Sequence, residues 1–331
     1  MTPARKRALF TLSLLSLLAA SLWISLMIGA VRTSPADLWD FLFHKDQAFR
    51  TIFLDLRLCR ALLAFLVGAG LSLSGAILQG YFQNPMADPF VVGVSSGASF
   101  GAVLCLSLGF GAASTLGFSL QGVFAFGAGF ILVSFVYLLS RTQAVFRVET
   151  LLLTGIAAGA VASSLTSFLL FLKSDSFEQA VFWLLGSFTL ADWRQVGMVA
   201  PYLTLGLLIA QWLAKDMNLL VLGDEMAKSL GSSVGRVRLA FLAVATLLAA
   251  VSVSVSGVIG FVGLIVPHWT RLLIGPDHRY LFGLSALTGG TFLVLCDLLA
   301  RTVLSPTELP IGIITALFGA PFFIYLLHRR R

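Results

Sequence analysis

Charged residues are scarce in this sequence, since they make up 11% of its 331 residues while 58% of the residues are hydrophobic. The mean hydropathy is +0.96. A soluble domain of this length has no core large enough to bury so much apolar surface. The composition therefore excludes a soluble globular protein and predicts a protein embedded in a lipid bilayer.

Cysteine and histidine are also rare. Cys59, Cys105 and Cys296 lie far apart, within or beside apolar runs, which is typical of small buried hydrophobes and not of a disulfide framework. The four histidines lack the spacing of metal ligands, and His268 is interpreted as a solvated or capping residue. No lysine follows a glycine, so a phosphate-binding loop is missing. The chain is therefore predicted to be neither an enzyme nor a holder of a metal or another cofactor.

Ten apolar segments alternate with polar breaks, and each is close to the roughly 20 residues that cross a bilayer as a helix. They cover approximately 8–30, 58–80, 92–110, 117–140, 150–171, 195–214, 237–256, 257–274, 280–300 and 311–327. The predicted fold is an all-α polytopic membrane protein, with residues 1–331 forming one transmembrane domain.

The distribution of Lys and Arg predicts the orientation of these spans. An even number of spans puts both termini on one side, and the ends Arg5–Arg7 and Arg329–Arg331 are basic. Most of the 22 Lys and Arg residues fall on that side, which is therefore predicted to be cytoplasmic. The net charge of +7 follows from this bias and does not indicate nucleic-acid binding. Five outer cations form an exception within one segment: Arg32, Lys45, Arg50, Arg57 and Arg60.

Two six-residue stretches suggest an internal repeat. Ser72–Ile77 and Ser254–Ile259 share the pattern S-x-S-G-x-I, and each precedes a break that contains proline. If the repeat is real, spans 2–5 and 7–10 correspond with inverted topology, as in many transporters. Chance similarity between two apolar helices rich in serine and glycine is the alternative.

The charged stretch Lys215–Arg238 predicts a short helix between two apolar runs. Asp224 and Glu225 would begin the helix and Lys228 would end it, which suits the helix dipole, and Gly231 would follow as the C′ residue. Three residues would form one apolar stripe: Met226, Ala227 and Leu230. The helix would lie against the membrane-embedded body, and the sequence leaves the direction of the stripe open. Ser232 or Ser233 would cap the next helix. A solvated loop is the alternative.

Four stretches in order resemble one known family. They are G-A-I-L-Q-G-Y-F-Q-N-P-M-A-D-P-F-V-V-G-V-S-S-G-A at 75–98, G-D-E-M-A-K-S-L-G at 223–231, G-V-I-G-F-V-G-L-I-V-P-H-W-T-R at 257–271 and E-L-P-I-G-I-I-T-A-L-F-G-A-P-F-F at 308–323. The chain from about Ser34 onward resembles the FecCD-type permease subunits of type II ABC importers for ferric siderophores, haem and cobalamin.

The resemblance implies a multi-pass protein of the cytoplasmic (inner) membrane that works with three kinds of partner. These are a second permease copy, which favours a homodimer, two ATPase subunits that bind ATP and Mg²⁺, and an external substrate-binding protein. The implied cargo is an iron complex, either a ferric siderophore or haem, and cobalamin is the alternative. A transporter driven by an ion gradient is a further alternative, suggested by the repeat.

The resemblance also assigns roles to residues of this sequence. Contact with the ATPase is implied for Gly223, Asp224, Glu225, Met226, Ala227, Lys228, Leu230 and Gly231. Docking of the binding protein is implied for Arg57, Arg60 and Arg301. An inner gate is implied for Asn84, Met86, Val148 and Glu149, although Glu149 departs from the small polar residue usual in the family. Asp297 and Arg301 also form an acid–base pair four residues apart at the outer end of the ninth span.

Overall fold

The computed structural model describes residues 3–29, 50–110, 114–115, 118–141, 148–173 and 177–329. Arg32 and Lys45 of the predicted outer cations, and the terminal residues Arg330 and Arg331, lie outside the described residues.

The described chain is almost entirely helical, which confirms the predicted all-α class. The long helices are α1 (Pro3–Met27), α2 (Cys59–Tyr81, continuing the π-helix Thr51–Leu58), α3 (Val94–Ser107), α4 (Leu120–Ser140), α5 (Val148–Leu172), α7 (Trp193–Trp212), α10 (Val234–Ser256), α11 (Val262–Ile274), α12 (His278–Thr302) and α13 (Ile311–Arg329). The short elements are a 3-10 helix (Pro89–Val92), α6 (Phe177–Leu184), α8 (Ala214–Leu220), α9 (Asp224–Ser229) and an antiparallel pair, β1 (Ser114–Thr115) and β2 (Phe118–Ser119).

The lengths of the described helices fit a membrane protein. Six are long and apolar enough to span a bilayer, and α7 with α8 forms a seventh candidate that is bent by 58°. The helices α3, α11 and α13 are apolar but shorter. The membrane-embedded class is thus confirmed, and the count of ten spans stays a prediction.

Helix α2 is the centre of the bundle. In the most apolar stretch of the helix from Thr51 to Tyr81, 83% of the residues are buried, compared with 72% in α10, 61% in α12, 17% in α1 and 22% in both α4 and α5. Glycines allow this close approach, because a Cβ at Gly68 would overlap the carbonyl oxygen of Gly289, and one at Gly75 that of Gly263. The neighbours of α2 are α7, α10, α11 and α12.

Two ends of the bundle can be told apart by the loops they carry. We call the end with Arg60 and Glu308 the outer end and the end with α9 the inner end, after the predicted topology. At the outer end the loop after α6 is tied to other elements, since the Ser187 N–H donates to the Ser256 carbonyl at 2.8 Å and the Ile311 N–H to the Gly186 carbonyl at 3.0 Å. Backbone hydrogen bonds therefore hold this loop to the end of α10 and to the start of α13.

The two stretches with the pattern S-x-S-G-x-I adopt different local structures. Ser72–Ile77 lies inside α2, whereas Ser254–Ile259 crosses the end of α10, where Gly257 has φ 71°. The inverted repeat therefore stays a prediction.

The cysteines agree with their prediction, whereas His268 does not. The three cysteines are free and buried, as expected of small hydrophobes. The expectation of a solvated His268 was wrong, because this residue of α11 is buried, and the alternative of a capping role stays a prediction.

Candidate functional site

Arg60 is the centre of a charged cluster at the outer end of the bundle. Its guanidinium group donates to both carboxylate oxygens of Asp297 at 2.8–3.1 Å and to both of Glu308 at 2.9–3.0 Å. The Thr189 hydroxyl also donates to Glu308 at 3.0 Å. Asp297 is buried, while the Glu308 side chain is 31% exposed. Arg60 thus joins α2 to α12 and to the loop before α13, and Glu308 connects the loop before α7 to them.

Two further arginines lie beside this cluster. Arg301 lies 3.6 Å from Asp297 and donates to the carbonyl and hydroxyl oxygens of Ser25 at 2.9 and 2.5 Å. Arg57 donates to the carbonyl oxygens of the last residues of α1, Leu26 and Met27. The predicted pairing of Asp297 with Arg301 is confirmed, although Arg60 holds the same carboxylate more closely.

The three arginines predicted at one outer face therefore come together, with their charged groups turned inward. Arg57 and Arg301 are buried, and the Arg60 side chain is 12% exposed. Three cations and the acids Asp297 and Glu308 leave the outer cluster with a residual charge of one positive unit. Such a cluster holds several helices together.

At the inner end, the predicted short helix forms as α9 and ends as expected. The Gly231 N–H donates to the Lys228 carbonyl at 2.9 Å, and the Ser232 N–H donates to the Ala227 carbonyl at 3.0 Å. These two bonds form a Schellman motif, which requires a left-handed residue, and Gly231 has φ 88°. Ser233 is the N-cap of α10, though its side chain makes no capping bond.

The predicted apolar stripe is wrong in one respect, because its members face different surroundings. Ala227 is fully buried against the bundle, whereas Met226 is 53% exposed and Leu230 is 57% exposed. Only the small side chain fits under the helix, and the two long ones project away from the body. Leu222, just before α9, is exposed as well.

The two acids at the start of α9 also differ. The Glu225 side chain is 90% exposed and pairs with Lys228 at 2.9 Å, a contact that raises the pKa of Lys228. Asp224 instead accepts a 2.6 Å hydrogen bond from Arg238, whose side chain is 8% exposed. Glu225 thus faces outward, and Asp224 fastens α9 to the bundle.

Arg238 connects α9 to the inner end of α2. Its Nη1 donates to the Tyr81 carbonyl at 3.2 Å, and its guanidinium carbon lies 5.1 Å from the centre of the Tyr81 ring. A planar guanidinium group can donate in the plane and pack on an aromatic face at the same time. Asp224, Arg238 and Tyr81 therefore form one chain of contacts from α9 to α2, which we call the inner link.

The residues assigned to a gate lie at the turn after α2 and the start of α5. The Asn84 side-chain oxygen accepts from the Met86 N–H at 3.0 Å. Val148 begins α5, and Glu149 is exposed in its first turn. The 3-10 helix after the turn packs on α5 at Gly155, where a Cβ would lie against its backbone. The loop after α2 therefore contacts α5 about two helical turns after Glu149 and not at Glu149 itself.

Sequence reasoning missed four participants in these clusters: Thr189, Glu308, Tyr81 and Arg238. Two of them carried a signal. Glu308 is an acid between apolar stretches, and Arg238 is a cation inside an apolar run, and both positions demand a partner. No pattern indicated Thr189 or Tyr81.

Comparison with known proteins gives consistent matches over nearly the whole chain. A family model described as the FecCD transport family matches residues 17–329. A cobalamin import system permease protein (BtuC) of Halobacterium salinarum is 45% identical over 288 residues, covering 87% of this chain and 76% of that protein. A hemin transport system permease protein (HmuU) of Yersinia pestis is 38% identical over 327 residues, covering 97% and 95%. A solved structure described as an inward-facing conformation of a metal-chelate type ABC transporter has a TM-score of 0.84 at 35% identity, covering 96% of this chain and 98% of that one.

Proposed function

The chain belongs to the FecCD transport family and is the membrane permease subunit of an ABC importer, and we propose that it carries an iron complex, a ferric siderophore or haem. ATP hydrolysis belongs to a separate subunit of such importers. Relatives named for hemin, ferric hydroxamate and ferric citrate transport support the proposed cargo. The family assignment overturns the alternative of a transporter driven by an ion gradient.

Cobalamin is the second candidate cargo. The relative from Halobacterium salinarum, at 45% identity, is named a cobalamin import permease. Both cargoes are large metal chelates, so the permease pathway would have to admit a similar size in either case.

The test of the cargo uses the whole transporter in proteoliposomes with its own external binding protein. We expect uptake of a radiolabelled ferric siderophore or haem that depends on ATP, with cobalamin failing to compete. Uptake of cobalamin alone would favour the second candidate. ATP-dependent uptake of neither would contradict both.

The proposed assembly is a homodimer of this chain with two ATPase subunits on the cytoplasmic side, where both termini lie. The outward face of α9 supports this arrangement, because it exposes Glu225, Met226 and Leu230 together. Long apolar side chains with a charge beside them are typical of the centre and rim of a protein interface. The coupling segment Gly223–Gly231 would thus offer these side chains to the ATPase.

The inner link supports a route for the movement. Since Arg238 bonds to Asp224 on one side and to Tyr81 on the other, a displacement of α9 by the ATPase would pull on the inner end of α2. The gate residues Asn84 and Met86 follow that end of α2 directly, and Val148 and Glu149 begin the helix that packs on the same loop. We therefore expect the gate to respond to movement of α9.

We also propose that an acidic surface of the binding protein docks on the outer cluster of Arg57, Arg60 and Arg301, in which only Arg60 is partly exposed. Its residual positive charge would attract such a surface, and charge of this kind chiefly steers and orients a partner. Glu308 is the more exposed of the two internal acids, so a carboxylate of the binding protein would compete with it for Arg60. Docking would then loosen the contact between α2 and the loop before α13.

A further inference from the structure

A groove at the inner end of the bundle belongs to neither cluster. It lies between α1, α7 and α12 and has a volume of about 540 Å³, within the range of small-molecule sites. Four polar side chains line its inner rim: Arg7, Gln211, Arg279 and Tyr280. About one turn deeper the lining consists of Leu207, Gly283, Leu284 and Thr11, whose hydroxyl is occupied by a backbone carbonyl of its own helix. The groove is therefore polar at one end and largely apolar at the other.

Contacts between the helices hold the rim in place. The guanidinium carbon of Arg7 lies 3.9 Å from the centre of the Tyr280 ring. Gln211 donates to the Arg279 carbonyl at 2.5 Å. Side chains of α1 and α7 thus each contact α12 at the rim of the groove.

The rim has a surplus positive charge. Arg279 pairs with Asp277 at 2.6 Å, and the hydrogen bonds from Arg279 hold the pKa of that carboxyl group well below its usual range. Asp277 therefore stays ionised at neutral pH and offsets one of the two cations. Within the part of the chain that the structure describes, no acidic side chain pairs with Arg7.

Exposed residues beside the groove are of the kinds found at the depth of lipid headgroups. Leu208 and Trp212, on the outer side of α7, are exposed, as is Tyr280. Tryptophan and tyrosine are enriched where a membrane protein meets the bilayer interface, and arginines between helices at that depth favour anionic headgroups.

We propose that this groove binds one anionic phospholipid of the inner leaflet, with its phosphate beside Arg7 and Arg279 and an acyl chain along Leu207 and Leu284. Both ends of the groove are needed for this ligand, because a free phosphate would use only the rim. The inference is independent of the cargo and of the ATPase.

The test is retention of lipid by the purified full-length chain, measured by native mass spectrometry after incubation with equal amounts of phosphatidylglycerol and phosphatidylcholine. We expect preferential retention of phosphatidylglycerol, and inorganic phosphate should not displace it. Arg7→Ala with Arg279→Ala should lower retention about fivefold for each arginine removed. The matched control is Arg141→Ala with Arg236→Ala, which removes two exposed cations elsewhere and should leave retention unchanged.

A second variant tests the apolar end without changing charge. A Cβ at Gly283 would meet nothing within 4 Å, so Gly283→Leu should fill the groove without disturbing the helix, and retention of phosphatidylglycerol should be lost. Equal retention of the two lipids would overturn the proposal. So would displacement by inorganic phosphate, an equal loss in the control pair, or full retention by Gly283→Leu.

Discussion

An arginine lies at each end of α2, Arg60 of α2 itself at the outer end and Arg238 of α10 at the inner end, and the surfaces around the two arginines differ. At the outer end Arg60 is enclosed by Asp297 and Glu308, and the neighbouring arginines also turn inward. At the inner end Arg238 turns inward and fastens α9. The coupling segment still exposes Glu225, Met226 and Leu230. At the outer end the charged groups thus pair with one another inside the protein. At the inner end α9 is attached through Arg238 and presents an exposed surface.

The largest effect is expected where the buried pairs are broken. Arg60→Met leaves Asp297 and Glu308 without their main cation, and removal of one partner from a buried pair costs about 3–5 kcal/mol. We expect a clear fall in the melting temperature of the purified chain in detergent. Arg194→Met, which removes an exposed cation, is the control. Equal melting temperatures for the two variants would show that the outer cluster does not hold the helices together.

At the inner link we expect a smaller loss of stability than for Arg60→Met, together with a marked loss of transport. Arg238→Met removes the bond to Asp224, and uptake by the assembled transporter should fall about tenfold, a typical size for a coupling free energy. The ATPase should still copurify and hydrolyse ATP. Arg238→Lys should restore part of the uptake. Arg236→Met, two residues away and exposed, should leave uptake unchanged. An equal loss of uptake in that variant would contradict the proposed role of Arg238 in coupling.

The exposed face of α9 should matter for the partner and not for the fold. Leu230→Asp should change the stability of the chain by less than about 0.5 kcal/mol, because more than half of the side chain is exposed in this subunit. It should weaken binding of the ATPase by about 2 kcal/mol if Leu230 lies at the centre of the interface. Ser233→Asp, which adds the same charge at a helix N-cap, is the control. Unchanged copurification of the ATPase with Leu230→Asp would place the interface elsewhere.

The smallest effect is expected at the partly exposed acid of the outer cluster. Glu308→Gln keeps the pair between Arg60 and Asp297, so stability should fall by no more than about 1 kcal/mol. Because the competing carboxylate is gone, the external binding protein should bind about threefold more tightly, a gain of less than 1 kcal/mol. Surface-based binding measurements with the reconstituted permease would detect this. Weaker or unchanged binding would contradict competition between Glu308 and the partner.

The local features of the chain were predictable from sequence because they depend on near neighbours. The start of α9 at Asp224, the left-handed Gly231 just beyond its end and the pairing of Asp297 with Arg301 each involve residues no more than a few positions apart. The direction of the α9 side chains was not predictable. Spacing placed Ala227 and Leu230 on one stripe, but the space under the helix admits only the smaller of them.

The sequence by itself determined the membrane class, the helical fold and the family, since these follow from apolar length, the low content of charge and motifs that lie within short stretches. Only the tertiary structure decided where the charged groups point. Arg60 and Asp297 lie 237 positions apart, and Arg238 and Tyr81 lie 157 positions apart. Contacts over such separations depend on how the helices pack, and no pattern within either segment contains that information.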